Sequence, residues 1–281
     1  MAITNESDTF EIGGDRTVHR LGFGAMRITG EGIIGEPDDV DAAKGVLERA
    51  VELGVDFVDT ADSYGPGVSE RLIREALHPY DDVVVATKGG LLRNREGNWI
   101  RHADPDYLRN AHLCSLDRLG VDSIDLYQLH RPDPDVPLEA SVEALAELKD
   151  DGVVEHVGLS NVSVDQLERA RETVEIATVQ NRYSVVDRDS EDVLRACEEH
   201  GIGFIPWFPF GGGDLGAKGR VLDEVAAAHD ASRFQVALAW LLARSPVMLP
   251  IPGTSSLDHL AENVAASALE LTDDELARLA D

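Results

Sequence analysis

Lysine is nearly missing from this 281-residue chain. It occurs only at Lys44, Lys88, Lys149 and Lys218, and arginine carries most of the positive charge. Lys and Arg number 25 against 53 Asp and Glu, a net charge of -28. With no broad basic face, neither a nucleic acid nor an anionic membrane is an expected partner. Cysteine is scarce too. Cys114 and Cys197 fall in helical patterns and cannot build a disulfide framework, so both read as small buried residues of a reducing compartment. No apolar run is long enough to span a bilayer; Val236–Leu242 soon meets Arg244 and Pro246. Met1–Asp15 is polar and acidic, without a signal-peptide pattern, so a cytoplasmic protein is expected. The histidines show no zinc-type pairing with acids or Cys on one helix face, and no metal is expected.

At 43% hydrophobic, the chain can bury a sizeable core, and its length suits one large barrel or two small domains. The acidity does not imply disorder, because apolar periodicity runs throughout. Abundant acid with little lysine is what the surface of a protein from a salt-saturated cytoplasm shows, where self-repulsion is screened. A halophilic source is therefore expected. In so lysine-poor a chain, a lysine ending a buried strand has a task.

Short apolar runs alternate with amphipathic segments at a period of about 30 residues. Strands are predicted at His19–Ala25, Phe57–Thr60, Val83–Lys88, Ile124–His130, Val154–Ser160, Ala177–Asn181, Gly203–Trp207 and Met248–Ile251. Helices are predicted at Asp38–Leu53, Pro105–Leu119, Leu138–Lys149, Val164–Val174, Glu191–His200, Leu222–His229, Arg233–Ala243 and Leu271–Ala280, several stopped by glycine. This alternation predicts an α/β fold, a (β/α)8 TIM barrel forming one domain over residues 1–281. Phe10–Ile12 and Thr17–Val18 flank Gly13-Gly14-Asp15, the pattern of an N-terminal β-hairpin. An open doubly wound sheet is the alternative. Against it, no G-x-G-x-x-G follows a strand and opens a helix.

Three polar clusters sit at the carboxyl ends of apolar runs. They are Asp59-Thr60-Ala61-Asp62-Ser63-Tyr64-Gly65, Thr87-Lys88 and Leu129-His130. In a parallel β/α fold, strand carboxyl ends share one face, and that face carries the chemistry. Singly, each residue has an ordinary explanation: a loop aromatic, a strand-end charge, a core histidine. Together, Asp59, Tyr64, Lys88 and His130 make a proton-transfer set. Tyr donates, Lys lowers its pKa, Asp holds the Lys, and His orients a carbonyl.

These residues resemble the aldo-keto reductase family, and the resemblance covers nearly the whole chain. Gly22-Phe23-Gly24-Ala25-Met26 is similar to the family's first-strand motif. Asp59-Thr60-Ala61, with Tyr64-Gly65 and Ser69-Glu70, is similar to its active-site signature. Ser160-Asn161, Gln180, Pro250-Ile251-Pro252-Gly253-Thr254 and Glu262-Asn263 complete the match. The resemblance implies a barrel that reduces aldehydes and ketones with NADP(H), NAD(H) also being plausible. It makes Tyr64 the proton donor to the carbonyl oxygen, beside Lys88, Asp59 and His130. It places Ser160, Asn161 and Gln180 at the nicotinamide carboxamide and Trp207 against the nicotinamide ring. Phe208 and Pro209 are further expected cofactor contacts, and the run Gly211-Gly212-Gly213 would let backbone amides approach the pyrophosphate. Gly253, Thr254, Ser255, His259, Glu262 and Asn263 would meet the adenosine end.

Met26, Arg27, Trp99 and Arg131 are the expected substrate contacts, with the loop Gly89–Asp104 as a pocket wall. Arg131 favours an anionic substrate or pairs with Asp133. The long carboxyl-terminal substrate loop of some relatives is expected to be absent, which leaves an open pocket. The expected partner is a small carbonyl compound, and the protein a monomer or small homo-oligomer. Two other classes remain open: a nicotinamide-binding regulatory subunit with slow turnover, and a barrel aldolase with Lys88 as Schiff-base nucleophile.

The charge imbalance makes a direct prediction. At about 0.01 M salt the Debye length is about 30 Å, so acidic surface groups repel across much of the molecule. Dialysis out of molar potassium chloride should lower the melting temperature and reduce activity. A melting temperature that stays flat from millimolar to molar salt would remove the halophilic reading.

Overall fold

The computed structural model describes residues 8–211 and 216–280. The chain enters through a hairpin of β1 (Thr9–Ile12) and β2 (Arg16–His19), paired antiparallel from Thr9↔His19 to Ile12↔Arg16. Gly13 and Gly14 turn the hairpin at φ 63° and 82°, where side chains are disfavoured. Gly13 also lies against the His156 ring, which a Cβ would meet at 2.1 Å. Ile12 and Val18 pack into a cluster with Phe57, Ala86, Leu126, Ala177, Ile205 and Leu249. The hairpin thus closes the base of the sheet.

Seven parallel strands follow. They are β3 (Phe23–Gly24), β4 (Phe57–Asp59), β5 (Val84–Gly89), β8 (Ile124–Leu129), β9 (Val154–Ser160), β10 (Ile176–Arg182) and β11 (Gly203–Trp207), hydrogen-bonded in that order. Helices on the outer side return the chain: α1 (Val40–Glu52), α2 (Val68–Leu77), α3 (Pro105–Leu119), α4 (Leu138–Asp150), α5 (Val164–Arg171), α6 (Glu191–His200), α7 (Gly219–Ala228), α8 (Arg233–Arg244), α9 (Leu257–Ala265) and α10 (Asp273–Ala280). Their starts are coded locally. Asp104 caps α3 beside Pro105, while Ser163 and Ser232 form capping boxes with Gln166 and Gln235. No described helix is long and apolar enough to cross a membrane.

The expected eighth strand, Met248–Ile251, does not form a ladder. Pro250 and Pro252 remove two backbone donors. The segment nevertheless bonds to both edges of the sheet. Leu249 N donates to Phe204 O at 2.8 Å, and Gly22 N donates to Pro250 O at 3.0 Å. Backbones crowd there: a Cβ on Gly24 would meet Ile251 O at 2.7 Å, and one on Gly253 would meet Gly24 O at 2.4 Å.

Other expectations need correction. The predicted first strand His19–Ala25 is split: His19 ends β2, paired with Thr9 and bonded to Asp56 through its backbone N–H and ring at 2.9 and 2.7 Å, and only Phe23–Gly24 joins the main sheet. Helix α2 was not predicted; its start at Gly67 carries no side-chain cap. Within the loop Gly89–Asp104 lies a second hairpin, β6 (Leu91–Arg93) with β7 (Trp99–Arg101). Cys114 is exposed, off the buried stripe of α3 formed by Leu108, Ala111, Ser115 and Leu119; Cys197 is buried as expected.

Candidate active site

The carboxyl ends of β4, β5, β8 and β10 converge on one buried carboxylate. Lys88 Nζ donates to Asp59 Oδ1 at 2.6 Å and to Thr60 O at 2.7 Å. The other oxygen, Oδ2, accepts from Gln128 Nε2 at 3.0 Å and Gln180 Nε2 at 2.9 Å. The Lys88 and Asp59 side chains are 0% and 2% exposed. Such a pair tolerates burial only because both charges keep full hydrogen bonding.

Tyr64 stands above this pair, with the Lys88 ammonium 5.3 Å from its ring centroid. Its ring also meets His130 and Trp99 edge-on, at 5.9 and 6.2 Å between centroids. The expected lowering of the Tyr64 pKa does not survive as a net effect. Burial raises it, Lys88 opposes that rise, and burial wins. Burial alone would depress the Lys88 pKa, but Asp59 and Tyr64 outweigh it, so the ammonium is held charged. His130 moves the other way. Burial, then the charges of Lys88 and Arg131, push it well below the usual histidine range, so the imidazole is neutral at pH 7. Its Nδ1 lies 3.4 Å from Ser63 Oγ.

On the β9 and β10 side, Ser160 Oγ donates to Gln180 O at 2.8 Å. Asn161, at φ 60°, donates through Nδ2 to Ser160 Oγ at 2.8 Å and to His130 O at 3.1 Å. Asn is among the few residue types that accept this left-handed backbone. Gln180, expected at the cofactor, thus has its amide nitrogen on Asp59.

One cavity of about 580 Å³ gathers most of the predicted residues. Asp59, Tyr64, His130, Ser160, Asn161, Gln180, Trp207, Phe208, Pro209, Gly253, Met26, Arg27, Trp99 and Arg131 all line it. Lys88 is behind the wall, reaching the cavity only through Asp59 and Tyr64. Gly211, Thr254, Ser255, His259, Glu262 and Asn263 lie off this wall. At α9, Ser256 Oγ accepts from His259 N at 3.4 Å, and Thr254 Oγ1 accepts from Ser256 N at 3.0 Å. These two hydroxyls therefore already serve the helix start. Gly212 and Gly213 lie outside the described residues. Arg27 passes close to Gly253, its Cγ 3.8 Å from the Cβ position there.

Sequence reasoning missed Leu91, Arg101 and Phe210 on the wall. Trp99 and Arg101 alternate along β7, and recognising that strand would have placed both on one face. Trp99 is held by Arg93, whose guanidinium stacks 3.7 Å from the ring and donates to Gly32 O, Ile33 O and Gly97 O.

A second buried polar cluster underlies the Tyr64 loop. Thr87 Oγ1 donates to Glu70 Oε1 at 2.6 Å, and Arg118 pairs with Glu70 Oε2. Tyr107 Oη donates to Asp62 Oδ2 at 3.1 Å, and Asp62 Oδ1 is buried without a partner. Burial, with the charge of Glu70 adding, raises the Asp62 pKa to about 7. Among the described residues, no group of His, Cys, Asp and Glu is arranged to hold a metal.

The comparisons agree with this geometry. The model of the Aldo/keto reductase family matches residues 20–281. An uncharacterized oxidoreductase of Schizosaccharomyces pombe is 50% identical over 98% of this chain and 90% of its own length. Pyridoxine 4-dehydrogenase of Escherichia coli is 43% identical, over 97% of each chain. An aldo/keto reductase of Klebsiella pneumoniae, solved with NADP and acetate, superposes with a TM-score of 0.83 at 28% identity, over 97% of this chain and 94% of that one. The chain belongs to the aldo/keto reductase family.

Asp62 makes a pH prediction. Its folded pKa lies above the free carboxyl value of 3.8, so the folded state binds the proton more tightly. Its stabilisation is complete below pH 3.8 and is lost as pH rises to about 7. Asp62→Asn, which keeps an acceptor for Tyr107, should remove that loss. The melting temperature of the variant should rise relative to wild type between pH 4 and 7, then stay above it. Parallel melting curves across this range would contradict the assignment.

Proposed function

We propose that this protein is a carbonyl reductase that transfers hydride from NAD(P)H to an aldehyde or ketone, with Tyr64 as the proton donor. The observation that carries the reading is the buried Asp59–Lys88 pair beneath Tyr64, in a cavity that Tyr64 and His130 share. The seven-stranded sheet and the Val247–Pro250 segment would together form the (β/α)8 barrel of one domain. The cavity fits a nicotinamide cofactor. Bare backbone at Gly24 and Gly253 lines one end of it, and Trp207, whose buried Nε1 has no partner among the described residues, supplies a flat face beside Ser160 and Asn161. Bound there, the reduced cofactor supplies the hydride.

The chain's own residues do the rest. His130, neutral through burial, donates a hydrogen bond to the substrate oxygen and polarises the carbonyl. Tyr64, kept protonated by burial, gives its proton to that oxygen as negative charge develops. Lys88 stabilises the phenolate left behind, and Asp59 fixes Lys88. Trp99 suits a planar aldehyde, and the Escherichia coli relative is named for a pyridoxine oxidation. Against a Schiff-base role, Lys88 is held charged and sits behind the wall, so it has no free amine to offer a substrate.

Tyr64→Phe should cut turnover by about 100- to 10,000-fold, the range for general acid catalysis. Cofactor binding, read by fluorescence titration, should change little. A Tyr64→Phe enzyme keeping most of the wild-type turnover would sink the assignment.

Cofactor preference follows from the α9 region. Gly253 and His259 stand where NADP-specific relatives usually carry a basic residue, Asp258 adds an acid, and the Thr254 and Ser256 hydroxyls cap the helix. With no permanent cation on the Gly253–Asn263 segment itself to meet a 2′-phosphate, NADP(H) should be favoured over NAD(H) by less than about 10-fold, or roughly 1.4 kcal/mol. His259→Arg should widen the gap. Values of kcat/KM for both cofactors at one salt concentration decide it; a wild-type preference above roughly 100-fold would mean another cation meets the phosphate.

A further inference from the structure

The cavity wall carries arginines that no carboxylate neutralises among the described residues. Most arginines elsewhere lie on carboxylates, as Arg16 on Glu155, Arg109 on Glu147, Arg169 on Glu139 and Arg233 on Asp223. That is expected where acids outnumber bases two to one. Arg101 and Arg131 are exceptions. Both line the cavity, from β7 and from the turn after β8, and both also line a smaller adjoining hollow with Asn161 and Gln166. Neither makes an ion pair among the described residues. Arg131 has one hydrogen bond, from Nη2 to Asn161 Oδ1 at 3.2 Å, and its Nε is buried without a partner.

The nearest acid is committed elsewhere. Asp133, in the adjoining hollow, accepts from Ala103 N through Oδ2 at 3.3 Å and from Asp135 N through Oδ1 at 3.0 Å. The expected Arg131–Asp133 pair is therefore not formed. Burial, then repulsion from Arg101, lowers the Arg131 pKa, the sign of two guanidinium groups held near one another without a neutralising anion. Two arginines placed together against their mutual repulsion match an oxyanion in charge and donor geometry.

We propose that Arg101 and Arg131 form an oxyanion subsite, so that the preferred substrate is a carbonyl compound bearing a carboxylate or phosphate. The inference rests on the reductase reading for its substrate and on the two arginines for its charge. Position supports the substrate side. Arg27, the other cavity arginine without an ion pair, has its Cγ 3.8 Å from the Gly253 Cβ position, whereas Arg101 shares β7 with Trp99 and Arg131 directly follows His130. An anion there leaves the carbonyl free to reach Tyr64. In a molecule of net charge -28, the subsite also supplies local attraction that the overall field does not.

The test uses matched pairs at one fixed salt concentration. For a carboxylate, 4-carboxybenzaldehyde is compared with 4-formylbenzamide; for a phosphate, glyceraldehyde 3-phosphate with glyceraldehyde. In wild type at least one anion should exceed its neutral partner in kcat/KM by roughly 10-fold or more, the worth of one charged hydrogen bond. Arg101→Gln should collapse that ratio chiefly through KM, and Arg101→Lys should restore part of it. Calorimetric binding of terephthalate, an unreactive dianion, to the wild type and to Arg101→Gln gives a readout independent of turnover. If no aldehyde is reduced, the reductase reading fails, yet terephthalate binding that Arg101→Gln weakens still supports the subsite. Ratios near one with both pairs, or terephthalate binding that is absent or indifferent to Arg101→Gln, would overturn it.

Discussion

Everything at the centre of this molecule depends on keeping one ammonium and one carboxylate out of water. Lys88 and Asp59 are joined at 2.6 Å with almost no exposure. Left unpaired, either charge would face a desolvation cost of several kcal/mol. The fold meets that cost by bringing in neighbours. Gln128 from β8 and Gln180 from β10 reach the same carboxylate oxygen, and the Thr60 carbonyl takes a further ammonium proton. Four strands are thereby tied at their carboxyl ends, which fixes where Tyr64 stands.

The surrounding sheet makes this convergence possible. The seven strands of the main sheet run parallel, so their ends share a face, and the Val247–Pro250 segment bonds to both edges. The same low-dielectric setting drives the titrations apart. Tyr64 is raised and His130 lowered, so near neutral pH the site holds a protonated phenol beside an uncharged imidazole. These are the forms in which the first can give a proton and the second a hydrogen bond.

Much of this was legible in the sequence because it is local. Helices α3 and α6 match their predicted bounds, since Pro105 with Gly120 and the αL glycine Gly201 mark their ends. Asp59, Tyr64, Lys88 and His130 were legible because each lies at or just past the carboxyl end of a strand. What failed depends on tertiary contact. The predicted first strand is divided because His19 pairs with Thr9 in the hairpin, and the β6–β7 hairpin is pinned by Arg93 to distant carbonyls, a bond that no spacing reveals. The sign of the Tyr64 shift was misread because a sequence shows the lysine but not how deeply the phenol is buried. Arg101 was missed with its hairpin.

The central claim is that burial keeps Tyr64 a phenol while Lys88 limits how far its pKa rises. Tyrosine labelled with carbon-13 at Cζ reports the ionisation directly by NMR, with Tyr64→Phe assigning the resonance. The account predicts that Tyr64 in the wild type titrates above the ordinary value of 10.0, and higher still in Lys88→Met. Phenolate signal from Tyr64 at neutral pH, or a Lys88→Met variant whose Tyr64 titrates no higher than wild type, would contradict it.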